Sequence, residues 1–221
     1  METLGILTLG QTPRHDIERL FKTCMPGVPT IIEGGLDNTK QSFIEAFARE
    51  NSEYPLLVVL ADGTTRQLPM YRLIPRLEEA ACRLSDRGAR LLVLMCTGNF
   101  ADLQSPVPVI YPGRLVSAVV SAMFPSGRLC IVVPNSGQKA PVRVIWEARG
   151  FEVIIKVASP KTPSLLYHEA DELRDQKLDL VVLDCMGFNQ EQAHEVRRRS
   201  GHRVICPQRL VAQVCAEIIG I

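Results

Sequence analysis

The chain lacks most of the signals that would assign it quickly. Lys and Arg number 25 against 24 acidic residues, a net charge of +1. Neither sign is in excess, so a nucleic-acid or anionic-membrane partner is not expected. No apolar run reaches the ~18 residues that a membrane span needs. The opening Met1-Glu2-Thr3-Leu4-Gly5 has no basic region and no cleavage site, so no signal peptide is read there. A cytoplasmic location is expected. There is no Cys-x-x-Cys pair among the 7 cysteines, and no two Cys or His at zinc-ligand spacing. An odd number of unpaired thiols fits a reduced protein better than a disulfide framework. Walker loops, G-x-G-x-x-G and Ser-His-Asp order are missing too. Neither a metal nor a cofactor is expected.

What is present is ordinary globular chemistry, 46% hydrophobic and 22% charged, in a length of 221 residues that suits one large domain or two small lobes. Continuous apolar runs read as buried strands: 4–9, 56–60, 91–95, 129–133, 153–157 and 180–183, with shorter candidates at 30–32, 107–110 and 204–206. Helices are expected over 13–24, 39–50, 70–87, 140–149, 164–176 and 190–199. The first would open with Thr12 as N-cap and Pro13 at its first position. Gly88, Gly150 and Gly201 fit helix C-terminal caps. This alternation predicts an α/β fold with mainly parallel sheets flanked by helices.

The chain also repeats itself. Leu92 to Phe100 resembles Val181 to Asn189, with Cys96 and Cys185 aligned. Tyr111-Pro112-Gly113-Arg114-Leu115-Val116 resembles Cys206-Pro207-Gln208-Arg209-Leu210-Val211. Gly10-Gln11 is matched to Gly137-Gln138, and the first half is expected to carry an extra strand-helix pair over 56–87. Three matches in one order point to duplication.

In open parallel sheets ligands bind beyond the carboxyl ends of strands. Gly10-Gln11-Thr12, Asp62-Gly63-Thr64-Thr65, Cys96-Thr97-Gly98-Asn99, Ser136 and Cys185-Met186-Gly187 all fall there. Backbone N–H groups, the Thr and Ser hydroxyls, and Arg14 or Arg66 could hold a small carboxylate or phosphate. Cys96 and Cys185 end buried strands, where nearby N–H donors favour the thiolate. With two related halves facing each other across a cleft, one thiol could remove a proton and the other return it. Each could equally be a packing cysteine. Cys24, Cys82, Cys130 and Cys215 are expected to pack, and Cys206 to be structural. His15 lies beside the first turn, and His168, His194 and His202 read as solvated. Helix N-capping is the plain reading of Asp62 and Asp184. Arg197-Arg198-Arg199 reads as a solvated helix end, Gly34-Gly35-Leu36-Asp37 as a turn, and Trp146 as core.

The two Cys turns, the duplicated layout and the opening Gly5-Ile6-Leu7-Thr8-Leu9-Gly10-Gln11-Thr12-Pro13-Arg14 resemble the AroM family. More widely the chain is similar to the aspartate/glutamate/hydantoin racemase superfamily. That resemblance implies two pseudo-symmetric flavodoxin-like lobes, over residues 1–113 and 114–206, with helix 207–221 packing back on the first. It implies cofactor-independent racemase, isomerase or lyase chemistry on a small carboxylate, and a homodimer. Carried over, Cys96 and Cys185 are the acid/base thiols. Thr97, Gly98, Asn99 and Gly187 hold the carboxylate, and Gly10, Gln11, Thr12 and Ser136 line the cleft. Where the racemases resemble Cys-Asn-Thr and Cys-Thr-His, this chain has Cys96-Thr97-Gly98 and Cys185-Met186-Gly187. Met186 and Phe188 make the second side less polar, which argues against amino-acid racemisation itself. A non-catalytic sensor of small carboxylates and a hydrolase or transferase with one Cys nucleophile are the alternatives.

Overall fold

Apolar strands and amphipathic helices alternate along residues 2–220, the part of the chain that the computed structural model describes. The order is β1 (Thr3–Thr8), α1 (His15–Cys24), β2 (Thr30–Gly34), α2 (Gln41–Phe47), β3 (Pro55–Val59), β4 (Thr65–Pro69), α3 (Met70–Asp86), β5 (Ala89–Leu94), β6 (Val109–Ile110) and α4 (Pro112–Met123). It continues with β7 (Gly127–Val133), α5 (Lys139–Glu147), β8 (Phe151–Val157), α6 (Pro163–Glu172), β9 (Leu180–Leu183), α7 (Gln190–Ser200), β10 (Val204–Ile205) and α8 (Pro207–Ile219). The chain divides into two compact units. One contains the residues up to Pro112 and those from Val211 onward; the other is Gly113–Leu210.

The first unit holds a parallel sheet in the order β2-β1-β5-β6. Its central strands are buried on both faces, which is why they read as unbroken apolar runs. Helix α3 buries Leu73, Leu77, Ala80, Ala81 and Leu84, a stripe at helical spacing. That stripe shares one core with Leu7, Leu92 and Leu94 of the sheet. The second unit repeats the plan, with a parallel sheet in the order β8-β7-β9-β10. Val132, Val181 and Leu183 pack there with Leu166 and Ala170 of α6, Ala193 and Val196 of α7, and Phe188. Trp146 is buried and meets Phe151 edge-on, with ring centroids 5.7 Å apart. Gly88, Gly150 and Gly201 follow their helices with φ of 94°, 86° and 74°, the left-handed cap conformation. Among the described residues no helix is long and apolar enough to cross a membrane.

Strand register makes the internal repeat explicit. Leu7 pairs with Leu94, and Val132 with Leu183. Likewise Leu92 pairs with Val109, and Val181 with Val204. So β1, β2, β5 and β6 correspond to β7, β8, β9 and β10. On this register Gly10-Gln11 matches Asn135-Ser136, two residues short of the expected Gly137-Gln138.

The extra segment of the first half is also different from expectation. Leu56 to Val59 does not join the parallel sheet: β3 and β4 form an antiparallel hairpin of their own. Leu56 and Val58 are buried while Leu57 and Val59 are half-exposed, the alternation of a one-sided sheet. The insertion is therefore α2 plus this hairpin, and α3 corresponds to α6. A second correction concerns α1, which starts at His15 rather than Pro13, with Arg14 at its N-cap and no side-chain cap. Thr12 is held elsewhere and its bond to Pro13 is cis. A third concerns Cys82, which is exposed on α3 rather than packed, since the stripe turns its neighbours Ala80 and Ala81 inward instead.

Cys130 and Cys215 are fully buried, and desolvation pushes each thiol from its ordinary 9.0 up to about 12. Each thiol then holds its proton more tightly in the folded than in the unfolded chain. The resulting stability is complete below pH 9 and is lost as pH rises from there toward 12. Urea unfolding of the parent and of Cys130→Val should therefore show a shallower alkaline decline in the variant.

Candidate functional site

The carboxyl ends of β1 and β5 are neighbours in the first sheet, and those of β7 and β9 in the second. Each pair of ends carries one of the two cysteine turns. Beyond β5, Met95 N–H donates to Leu7 O (2.8 Å) and Cys96 N–H to Leu94 O (2.8 Å). Gly98 N–H then donates to Cys96 Sγ at 3.2 Å. Beyond β9 the same three bonds recur: Asp184 N–H to Val132 O (2.8 Å), Cys185 N–H to Leu183 O (2.8 Å) and Gly187 N–H to Cys185 Sγ (3.4 Å). Both cysteines are half-buried. Each sulfur thus receives a backbone proton from the glycine two residues on, and a donated N–H favours the charged sulfur over the neutral thiol.

Both turns are braced, though by different residues. In the first unit Tyr111 Oη accepts from Leu103 N–H (2.7 Å), fixing the segment after Cys96. The second half has a helix, α7, where the first has this segment, and there Cys206 Sγ–H donates to Phe188 O (3.4 Å) and Gln208 Nε2–H to Met186 O (2.8 Å). Burial pushes the Cys206 thiol up, in keeping with a structural role. Asn189 caps α7 in a capping box with Gln192. Asp184 is therefore not the cap of that helix. Met186 and Phe188 are buried, Asn99 and Gly187 exposed, and Thr97 half-buried.

The Gly10-Gln11-Thr12 loop is more tightly engaged than a ligand loop was expected to be. Gln11 N–H donates to Val59 O (3.0 Å). The Gln11 side chain donates to Leu36 O (3.3 Å) and accepts from Ala61 N–H (3.1 Å), so it ties the β2 end to the hairpin turn. Thr12 donates through N–H and Oγ1–H to the two carboxylate oxygens of Asp37 at 2.6 and 3.0 Å. Asp37 also accepts from Gly34 N–H at 2.6 Å. Gly34-Gly35-Leu36-Asp37 is thus half of the scaffold rather than a mere turn. The signal that could have found it is the single carboxylate of Asp37 in a glycine-rich turn directly after a strand, at the same sheet end as Gly10.

The other expected residues are dispersed. Asp62 accepts from Thr64 N–H (2.9 Å) and Thr64 Oγ1–H (2.7 Å) in the exposed turn of the hairpin, where no helix begins to be capped. The Thr64 bonds hold the Asp62 carboxyl below its ordinary value. Arg66 pairs with Glu45 (2.9 Å). Arg14 is mostly buried and binds Asp16 through Nε and Nη2 (2.9 and 2.8 Å). His15 is exposed beside Glu18, and His202 meets Leu173 O. Ser136 is exposed at the start of the short turn leading into α5. Among the described residues no cluster of three His, Cys, Asp or Glu could hold a metal.

Comparison with known proteins sets this geometry in context. The family model described as "AroM protein" matches residues 4–219. No curated protein sequence matches the chain. Unliganded arylmalonate decarboxylase is similar in structure, with TM-score 0.62 and 15% identity over 100% of this chain and 94% of that one. Glutamate racemase from Aquifex pyrophilus gives 0.59 and 14% over 98% and 83%. The maleate isomerase Iso from Pseudomonas putida S16 gives 0.61 and 10% over 100% and 94%. At such identities the likeness is one of fold: the α/β plan is shared with these three proteins.

The glycines of the site differ in what they tolerate. A Cβ on Gly10 would lie 1.9 Å from Val59 O and 2.8 Å from Val59 C, both backbone atoms of the hairpin. On Gly98 it would meet only side-chain ends and Cys96 Sγ, at 3.1–3.3 Å. Gly10→Ala should thus force the hairpin away and lower stability by about 2 kcal/mol or more, with Gly98→Ala costing well under that. Urea unfolding of the two variants side by side measures the difference.

Proposed function

Since the chain belongs to the AroM family, we propose that it is an enzyme of the racemase, isomerase or lyase type, working on a small carboxylate without a cofactor through Cys96 and Cys185. The observation that carries this reading is the matched pair of cysteine turns, with Gly98 N–H on one sulfur and Gly187 N–H on the other. Packing cysteines would have no need of that pattern twice, and the buried Cys130 and Cys215 are packed in strand and helix interiors instead. The fold similarity to a decarboxylase, a racemase and an isomerase supports the same class.

In the proposed reaction one sulfur, as thiolate, takes the proton from the carbon next to the carboxyl group, and the electron pair left on carbon spreads into that carboxyl group. In the decarboxylating variant the carbon carries two carboxyl groups: one leaves as carbon dioxide, and the electron pair of the broken bond spreads into the one that stays. The other sulfur, as thiol, returns a proton to that carbon. Thr97, Gly98, Asn99 and Gly187 hold the carboxylate near the sulfurs, with Ser136 at the exposed start of the turn before α5. Buried Met186 makes the Cys185 turn less polar than the Cys96 turn.

Two readouts test this. In heavy water, small mono- and dicarboxylates should lose their α-proton signal in the presence of the parent, and Cys96→Ser and Cys185→Ser should each slow the loss by about a hundredfold or more. Alkylation of both thiols should reach half its maximal rate well below pH 9.0, the ordinary thiol value. Exchange that survives both substitutions, or thiols that titrate as ordinary ones, would overturn the acid/base roles.

A further inference from the structure

The donors of Thr12 and the backbone N–H of Gln11 are engaged inside the first unit. Gln11 N–H serves Val59 O, Gln11 Nε2 serves Leu36 O, and Thr12 N–H serves Asp37 Oδ1. The Thr12 hydroxyl has a single proton, and it points at Asp37 Oδ2. What Thr12 has left to present is its lone pairs. The Asp37 carboxylate behind it adds negative charge, which disfavours a second carboxylate close by. Thr12 in this state accepts hydrogen bonds; it does not cradle an anion.

Comparison of the two halves shows that the Asp37 clamp is not a requirement of the sheet. Gly35 N–H donates to Thr8 O, and at the matching register Ala158 N–H donates to Val133 O. Two residues further on, the second half has Pro160 where the first has Asp37. It nevertheless builds the same parallel strand order. Pro160 packs instead toward the Cys185 turn, where its Cγ would lie 2.7 Å from a Cβ on Gly187. The carboxylate of the first half therefore shapes a loop, and that loop stands at the sheet end beside the Cys96 turn.

We propose that Thr12, oriented by Asp37, accepts a hydrogen bond from a hydroxyl or ammonium substituent of the substrate, so that the Gly10-Gln11-Thr12 loop selects a donor group and the carboxylate is held elsewhere. This rests on the reading of the β1 and β5 ends as the substrate site. It departs from the expectation that the Thr12 hydroxyl is a donor to a small anion, and gives Thr12 a specific part in lining the site. Thr12 is a binding residue in this assignment and Asp37 a positioning residue.

The test is protection of Cys96 from iodoacetamide by three probes of equal length: succinate, malate and aspartate. In the parent, malate or aspartate should protect at about a tenfold lower concentration than succinate, the worth of one hydrogen bond. Malate leading identifies a hydroxyl, aspartate an ammonium group. Thr12→Val should reduce the better probe to the level of succinate, while Thr12→Ser keeps the preference. Asp37→Asn should weaken the preference without changing the alkylation rate of Cys96 in the absence of probe. Equal protection by all three in the parent, or a preference that survives Thr12→Val, overturns the assignment. Failure of every probe to protect the parent removes the substrate-site reading itself, and is seen before any variant is made.

Discussion

A parallel strand buried on both faces has no room for polar chemistry along its length. Side chains on either face are enclosed by helices, and neighbouring strands occupy its edges. The chemistry is pushed to the carboxyl end, where the backbone leaves the sheet and its N–H groups lose their ladder partners. In this chain that constraint acts twice. Register fixes Leu7 against Leu94 and Val132 against Leu183. Two residues beyond each of those β5 and β9 positions, a cysteine leaves the sheet and takes an N–H from a glycine. Both glycines lie close to the sulfur they serve: a Cβ on Gly98 would lie 3.3 Å from Cys96 Sγ, and one on Gly187 3.5 Å from Cys185 Sγ, where Pro160 Cγ at 2.7 Å is the nearer obstacle.

How much of this was legible follows from where each interaction lies in the sequence. Strands such as β9, four apolar residues in a row, announce themselves, and so do the helix ends at Gly88, Gly150 and Gly201. The cysteine turns were legible because their bonds span only two residues, so the sequence pattern and the hydrogen-bond pattern coincide. The hairpin was not. Leu57 and Val59 sit on its half-exposed side, and being apolar they disguise a one-sided strand as a buried one. Its partner β4, Thr-Arg-Gln-Leu-Pro, is mostly polar. The Asp62-Gly63 dipeptide between them was the available cue, since Asp-Gly is a preferred hairpin turn, and Gly63 does take φ 80°.

The start of α1 failed for the opposite reason. Thr12-Pro13 has every local feature of a helix beginning. Its fate is decided by Asp37, 25 residues away, which takes both donors of Thr12. Local propensity of this kind is worth about 1 kcal/mol. Two hydrogen bonds to a carboxylate, each worth roughly 1.5–3 kcal/mol, outweigh it. The same competition explains Gln11, whose amide could serve a ligand but bridges Leu36 and Ala61 instead.

The two halves therefore share a sheet and a sulfur turn, and differ in what surrounds them. The first half adds α2 and the hairpin, packs Val59 so closely on Gly10 that no side chain fits there, and locks Thr12 with Asp37. The second half replaces the segment after the cysteine with a capped helix, packs Pro160 against Gly187, and buries Met186 and Phe188. Duplication alone would give two equivalent turns. Divergence has left the Cys96 turn in the unit that carries the Thr12–Asp37 clamp, and the Cys185 turn in the unit where Pro160 packs beside Gly187 and where Met186 and Phe188 are buried. The backbone bonds to the two sulfurs are the same, and only the side chains around them differ, so what distinguishes the two thiols is set by those side chains rather than by the backbone of the turns.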